Sequence, residues 1–161
     1  MPNYKRAFIP GGTWFFTVNL LERHNNDLLV REIELLRKAV RNVKQKHHFH
    51  INAWVVLPEH MHCIFTLPEG DADFSLRWRL IKSGFSRLLP KTEYRSPVRK
   101  ASGERGIWQR HYWEHLIRDD DDYQRHVDYV HVNPVKHGMF NGYVIGLIQL
   151  FTVMWNWMFC R

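Results

Sequence analysis

The sequence predicts an α+β domain: a ferredoxin-like antiparallel sheet with helices on one face. Three observations predict it. Hydrophobic periodicity runs in the order strand, helix, strand, strand, helix, strand, helix. The second and third strands are separated only by Pro58-Glu59, a link short enough to impose antiparallel pairing. The 161 residues are 45% apolar and 14% aromatic, enough for one sizeable core and too apolar for a disordered chain.

Each element has its own signal. Gly11-Gly12 marks a turn, and residues 13–20 read as the first strand, followed by a polar loop over 22–27. From 29 to 46, apolar residues fall at 29, 33, 36, 40 and 43, the three-and-four spacing of an amphipathic helix. Arg37, Lys38, Arg41, Lys44 and Lys46 read as its solvated face. Residues 49–57 and 60–67 form the second and third strands, closed by Pro68 and a turn-rich stretch to Asp73. In the helix expected over 74–89, Arg77, Arg79, Lys82 and Arg87 alternate with Trp78, Leu80, Phe85 and Leu88. Basic residues interleaved with aromatics can track a nucleic-acid backbone and stack bases, although the apolar positions equally suit a core.

Residues 90–106 gather Lys91, Arg95, Arg99, Lys100 and Arg105 among Pro, Ser and Gly, and read as a mobile basic loop touching nucleic acid. Residues 107–118 read as the fourth strand. The last helix spans 120–138. Asp119–Asp122 match the dipole at its start, and Pro134, Lys136, His137 and Gly138 suit its end.

The net charge of +7 suits an anionic partner, most simply nucleic acid. Two cysteines, Cys63 and Cys160, supply neither a disulfide framework nor a zinc quartet, which fits a reducing, cytoplasmic setting. The first residues carry no hydrophobic signal segment. Tyr4-Lys5-Arg6 is a small basic-aromatic cluster, able to grip phosphates and stack a base, or else a solvated tail.

The chemistry centres on His60-Met61-His62. Strand side chains alternate, so His60 and His62 share one face and Met61 takes the other. Two imidazoles so placed can hold one side of a metal ion; two hydrogen-bonded polar residues at a strand start would look the same. On the last helix, Tyr129 and Asn133 stand four apart and so share a face. They suit either a nucleophile beside a ligand, or a buried tyrosine and an asparagine near a helix end.

These pieces together resemble a known family. His60-Met61-His62, followed by Tyr129 and Asn133 in YVHVNPVKHG (129–138), is similar to the single-tyrosine class of His-hydrophobic-His (HUH) transposases. More narrowly it resembles the REP-associated tyrosine transposases. GGTWFFTVN (11–19), NAWVVLPEHMHC (52–63) and WQRHYWEH (108–115) occur in the same order, and the likeness covers roughly residues 4–140.

The resemblance implies the HUH endonuclease fold and metal-dependent cleavage and rejoining of single-stranded DNA. His60, His62 and Asn133 would hold Mg²⁺ or Mn²⁺, and Tyr129 would form a 5′-phosphotyrosine. The substrate would be a REP-type hairpin, contacted by Tyr4, Lys5, Arg6, Arg77, Arg79, Lys82 and Arg87. A monomer is expected, with a dimer as the other state. The alternative function is a catalytically impaired protein that binds single-stranded hairpins without cutting.

Residues 1–142 read as the nuclease domain and 143–161 as an atypical apolar tail. Tyr143 to Cys160 holds 18 residues without a charge, about 27 Å if helical. Nucleotides encoding residues 144–161 can be chosen to read DWPYSTFHRYVELDVLP in another frame, which resembles the family's continuation. A frameshifted gene end is therefore the expectation, with a packed helix and a membrane anchor as the other readings.

Overall fold

The computed structural model describes residues 8–136, with backbone only for 134–136. Tyr4, Lys5, Arg6, the end of the last expected helix and the apolar tail lie outside the described residues. Four strands form one sheet: β1 (Thr13–Asn19), β2 (His50–Val56), β3 (His60–Thr66) and β4 (Trp113–Leu116). Their order is β2-β3-β1-β4, antiparallel throughout. Helices α1 (Leu28–Arg31), α2 (Ile33–Lys46), α3 (Phe74–Leu88), α4 (Pro97–Ala101) and α5 (Asp120–Lys136) complete the described chain.

Alternation along β1 sorts the two faces. Trp14, Phe16 and Val18 join Met61, Cys63 and Phe65 of β3 under α2 and α3, which contribute Leu36, Val40, Trp78, Ile81 and Phe85. Burying each large side chain stabilises the fold by roughly 1.5–3 kcal/mol relative to exposing it. The two long amphipathic helices thus share one face. Helix α5 takes the other: Val130 packs against Phe15, Ala53, Val55 and Ile64. One helix therefore departs from the one-face expectation, and it is the helix that carries Tyr129.

The β2–β3 hairpin closes on Pro58-Glu59, with Leu57 N–H donating to His60 O at 2.9 Å. Its position fixes where His60 emerges. The expected single helix over 29–46 is broken at Glu32, whose backbone (φ −105°, ψ 33°) leaves the helical region. Arg37, placed by periodicity on the solvated face, is buried and bonds Glu34. Asp73 caps α3 by accepting from Leu76 N–H at 2.8 Å.

Two further elements depart from expectation. The basic segment 90–106 holds a short helix and is tied by hydrogen bonds within itself and to its neighbours. Ser96 caps α4, and Arg105 grips the Glu93 carboxylate and the carbonyls of Ser86 and Pro90. Arg99 donates to Arg105 O and Trp108 O. Strand β4 is shorter than expected: residues 107–109 meet the end of β1 through an isolated Leu20–Trp108 bridge, and the ladder proper runs over Trp113–Leu116. Helix α5 runs through Pro134 to Lys136, within the span expected for it. Proline removes one backbone donor there without ending the helix. Among the described residues, no helix is long and apolar enough to cross a membrane.

Candidate functional site

Pairing in the centre of the sheet builds the site. Antiparallel register sets Asn19 opposite His60 and Thr17 opposite His62. Directly opposed side chains share a face, so a polar row lies on the face that α5 covers. The His60 and His62 rings stand 5.0 Å apart, nearly perpendicular, and both residues are buried. Met61 is fully buried on the opposite face, as alternation requires.

Each imidazole is oriented through Nδ1. His60 Nδ1 lies 2.9 Å from Glu59 Oε1, and His62 Nδ1 lies 2.8 Å from Thr17 Oγ1. With Nδ1 protonated and donating, each ring presents the Nε2 lone pair as its ligating site. Arg23 Nη2 also donates to Glu59 Oε1 at 3.2 Å. Burial works to raise the Glu59 pKa, but His60 and Arg23 outweigh it and hold the carboxyl below its usual value.

Val130 anchors α5 on the sheet, and its neighbour Tyr129 projects beside the histidines. The Tyr129 ring meets His62 edge-on at 5.1 Å and Phe15 edge-on at 5.8 Å. Tyr129 remains 41% exposed, so solvent and a substrate can reach it. Asn133, one turn further along the same face, is buried. Among the described residues its Oδ1 has no hydrogen-bond partner.

A second cluster lies at the start of α5. Asp119 caps the helix, its Oδ1 accepting from Asp122 N–H at 2.8 Å, as its acidic start predicts. Asp122 turns inward instead. Its carboxylate accepts from His115 Nε2 at 2.9 Å and Arg118 N–H at 3.0 Å, with His126 Nδ1 at 3.2 Å. The His115 and His126 rings stack at 4.6 Å. Burial opposes ionisation of Asp122, yet the His115 and Arg118 bonds and the charges of His115 and His126 hold its pKa well below the carboxylate range. One ligand atom from each of His115, Asp122 and His126 lies within 4.8 Å of the others, a span that could hold a cation. The same carboxylate already ties β4 to α5.

Of the expected DNA contacts, Arg79 and Arg87 are exposed on α3. Arg77 is not a surface contact. It is buried, and its guanidinium donates to Asp71, Asp73 O and His48 O, which makes it a clamp inside the fold. Lys82 is partly buried and donates to Gln109 O at 2.7 Å. Burial, with Arg99 nearby, lowers its pKa to about 8.

Thr17, His115 and Asp122 join this surface without having been expected there. A signal for Thr17 was present: Thr17 and Asn19 alternate with Phe16 and Val18. His115 and Asp122 are joined only by the return of α5 onto the sheet.

No family model matches the chain. It is 54% identical over 138 residues to the REP-associated tyrosine transposase of Escherichia coli, covering 86% of this chain and 75% of that protein. The chain belongs to the REP-associated tyrosine transposases. A Haemophilus influenzae protein bearing the same family name is 43% identical over 140 residues, covering 86% of this chain and 78% of its own. A solved REP-associated tyrosine transposase bound to a REP hairpin matches with a TM-score of 0.72 and 52% identity, over 87% of this chain and 76% of the other. The fold is thus that of the tyrosine transposases, an enzyme family.

Proposed function

We propose that this REP-associated tyrosine transposase is a metal-dependent enzyme that nicks and rejoins single-stranded DNA at REP-type hairpins. The observation that carries the reading is the 5.1 Å contact between the Tyr129 and His62 rings, with His60 at 5.0 Å from His62. It sets a phenol beside two oriented imidazoles on one surface. The hairpin bound by the solved relative supports the substrate class.

His60, His62 and Asn133 would hold the ion. The fit rests on donor chemistry and on Asn133, whose buried Oδ1 lacks a hydrogen-bond partner among the described residues. An unsatisfied buried polar atom costs about 1–3 kcal/mol, and a cation would relieve that cost. Nitrogen and amide-oxygen donors suit Mn²⁺ or Mg²⁺. The bound ion would polarise the scissile phosphate and neutralise its developing charge. We assign the ion to this set rather than to His115, Asp122 and His126, where the carboxylate is already held by N–H donors.

Tyr129 attacks phosphorus through Oη. A phosphotyrosine ester forms, the bond to the neighbouring 3′-oxygen breaks, and that oxygen leaves as a 3′-hydroxyl after taking a proton. The phenol's own proton must leave during attack; the exposed setting of Tyr129 gives water access to receive it. Rejoining runs the same exchange backwards, with a 3′-hydroxyl as nucleophile. Nucleophile and histidines belong to one chain, which favours a monomer acting with its own tyrosine.

Arg79, Lys82 and Arg87 line an open groove of about 950 Å³ along α3, with Arg110, Trp108 and Tyr112. We assign it to hairpin phosphates. The reading is tested by digesting protein after reaction with a hairpin that carries a single-stranded flank. A nucleotide-bearing peptide containing Tyr129 supports it, and a nucleotide on any other residue refutes it.

A further inference from the structure

We propose that Trp113 is the platform on which a base of the single strand stacks beside the phosphate attacked by Tyr129. The proposal deepens the reading above and rests on it. Trp113 lies opposite Thr17 in the β1–β4 register, and Thr17 lies opposite His62 in the β1–β3 register. The three side chains therefore form one row on one face of the sheet. Neighbouring strands are about 4.8 Å apart, so Trp113 stands roughly 10 Å from His62. That is the separation of a base from a phosphate of its own or a neighbouring nucleotide.

The indole is open. Trp113 is 66% exposed, although every other tryptophan among the described residues is buried. Trp113 lies on edge strand β4, two residues from His115, where Asp122 holds the start of α5; Val130 seats the later turns of the helix on Phe15, Ala53, Val55 and Ile64. The row from Trp113 through Thr17 reaches His62, which Tyr129 meets edge-on. An exposed indole gains most from a flat apolar partner, and a base offers one irrespective of its sequence. The surroundings suit a polyanion rather than an apolar protein. His115 shares the face two residues along β4, and the Arg118 and Arg125 side chains beyond it are 70% and 67% exposed.

The test uses hairpins with and without a single-stranded flank, and with 2-aminopurine at successive flank positions. Binding and fluorescence are read for wild type, Trp113→Ala and Trp113→Phe. Trp113→Ala is expected to weaken binding of the flanked hairpin about tenfold and leave the flankless hairpin unchanged. It should also abolish quenching at one flank position, while Trp113→Phe retains most of both. Unchanged melting temperatures would exclude a folding defect, as the exposure of the side chain leads one to expect. Flank binding and quenching in Trp113→Ala equal to wild type would overturn the proposal. So would a Trp113→Ala effect that appeared only as a change in oligomeric state. If that variant also cleaved normally, the stacking proposal alone would fail; a wild type that neither bound nor cleaved would refute the parent reading as well.

Discussion

Thr17 Oγ1 stands 2.8 Å from His62 Nδ1, across the pairing of β1 with β3. A strand that looks purely structural thereby sets the orientation of an imidazole in the candidate metal site. Thr17→Val keeps the shape and removes the hydroxyl. It is expected to lower Mn²⁺ affinity about 10–100-fold, as for other lost partners of ligating histidines, whereas Thr17→Ser retains it. Metal titration by calorimetry decides between them.

Asp122 holds β4 and α5 together through His115 and the Arg118 backbone. Asp122→Ala removes a buried acceptor from two donors. A loss of about 2 kcal/mol is expected, which lowers Tm by roughly 4–8 °C. Because Tyr129 lies on the same helix, cleavage should fall even below the melting transition. Differential scanning calorimetry and cleavage at low temperature measure the two effects.

Lys82 gives a pH signature. Its pKa is lowered to about 8, with burial the leading cause and Arg99 the second. The charge is present below that pH and lost as pH rises through it. Hairpin affinity should therefore fall between about pH 7 and 9 by the worth of one phosphate contact, and the log–log salt slope should shrink by about 0.9. Lys82→Arg should remove the dependence, because arginine stays charged. Binding isotherms at several salt concentrations check it.

The arginines of α3 separate in the same way. Arg79→Ala and Arg87→Ala should each reduce the salt slope by about 0.9 and leave Tm unchanged. Arg77→Ala should do the reverse: it leaves buried carbonyls without their donor and lowers Tm, with little effect on the slope of the protein that remains folded.

Much of this arrangement was legible in the chain. Period-two alternation put His60 and His62 on one face, and helical spacing put Tyr129 and Asn133 on another. Pro58-Glu59 pointed to an antiparallel hairpin with His60 beside its turn. What one-dimensional periodicity could not reveal was direction. Arg77 and Arg37 sit at positions that look solvated, yet both are buried against partners that only the folded chain supplies. Arg99 and Arg105 looked mobile because their acceptors are mainly backbone carbonyls, which carry no sequence signal. The crossing of α5 to the opposite face, which brings Tyr129 to His62, is a tertiary choice set by Val130 and the apolar row beneath it.

The role of Tyr129 as nucleophile is measured by incubating end-labelled REP hairpins bearing single-stranded flanks with wild type and Tyr129→Phe, in Mn²⁺, Mg²⁺ or EDTA. A covalent protein–DNA adduct is expected in wild type with metal, none in EDTA, and none with Tyr129→Phe, whose hairpin binding stays near wild type. An adduct that survives in Tyr129→Phe, or tight hairpin binding by wild type with no adduct under any metal, would contradict that role.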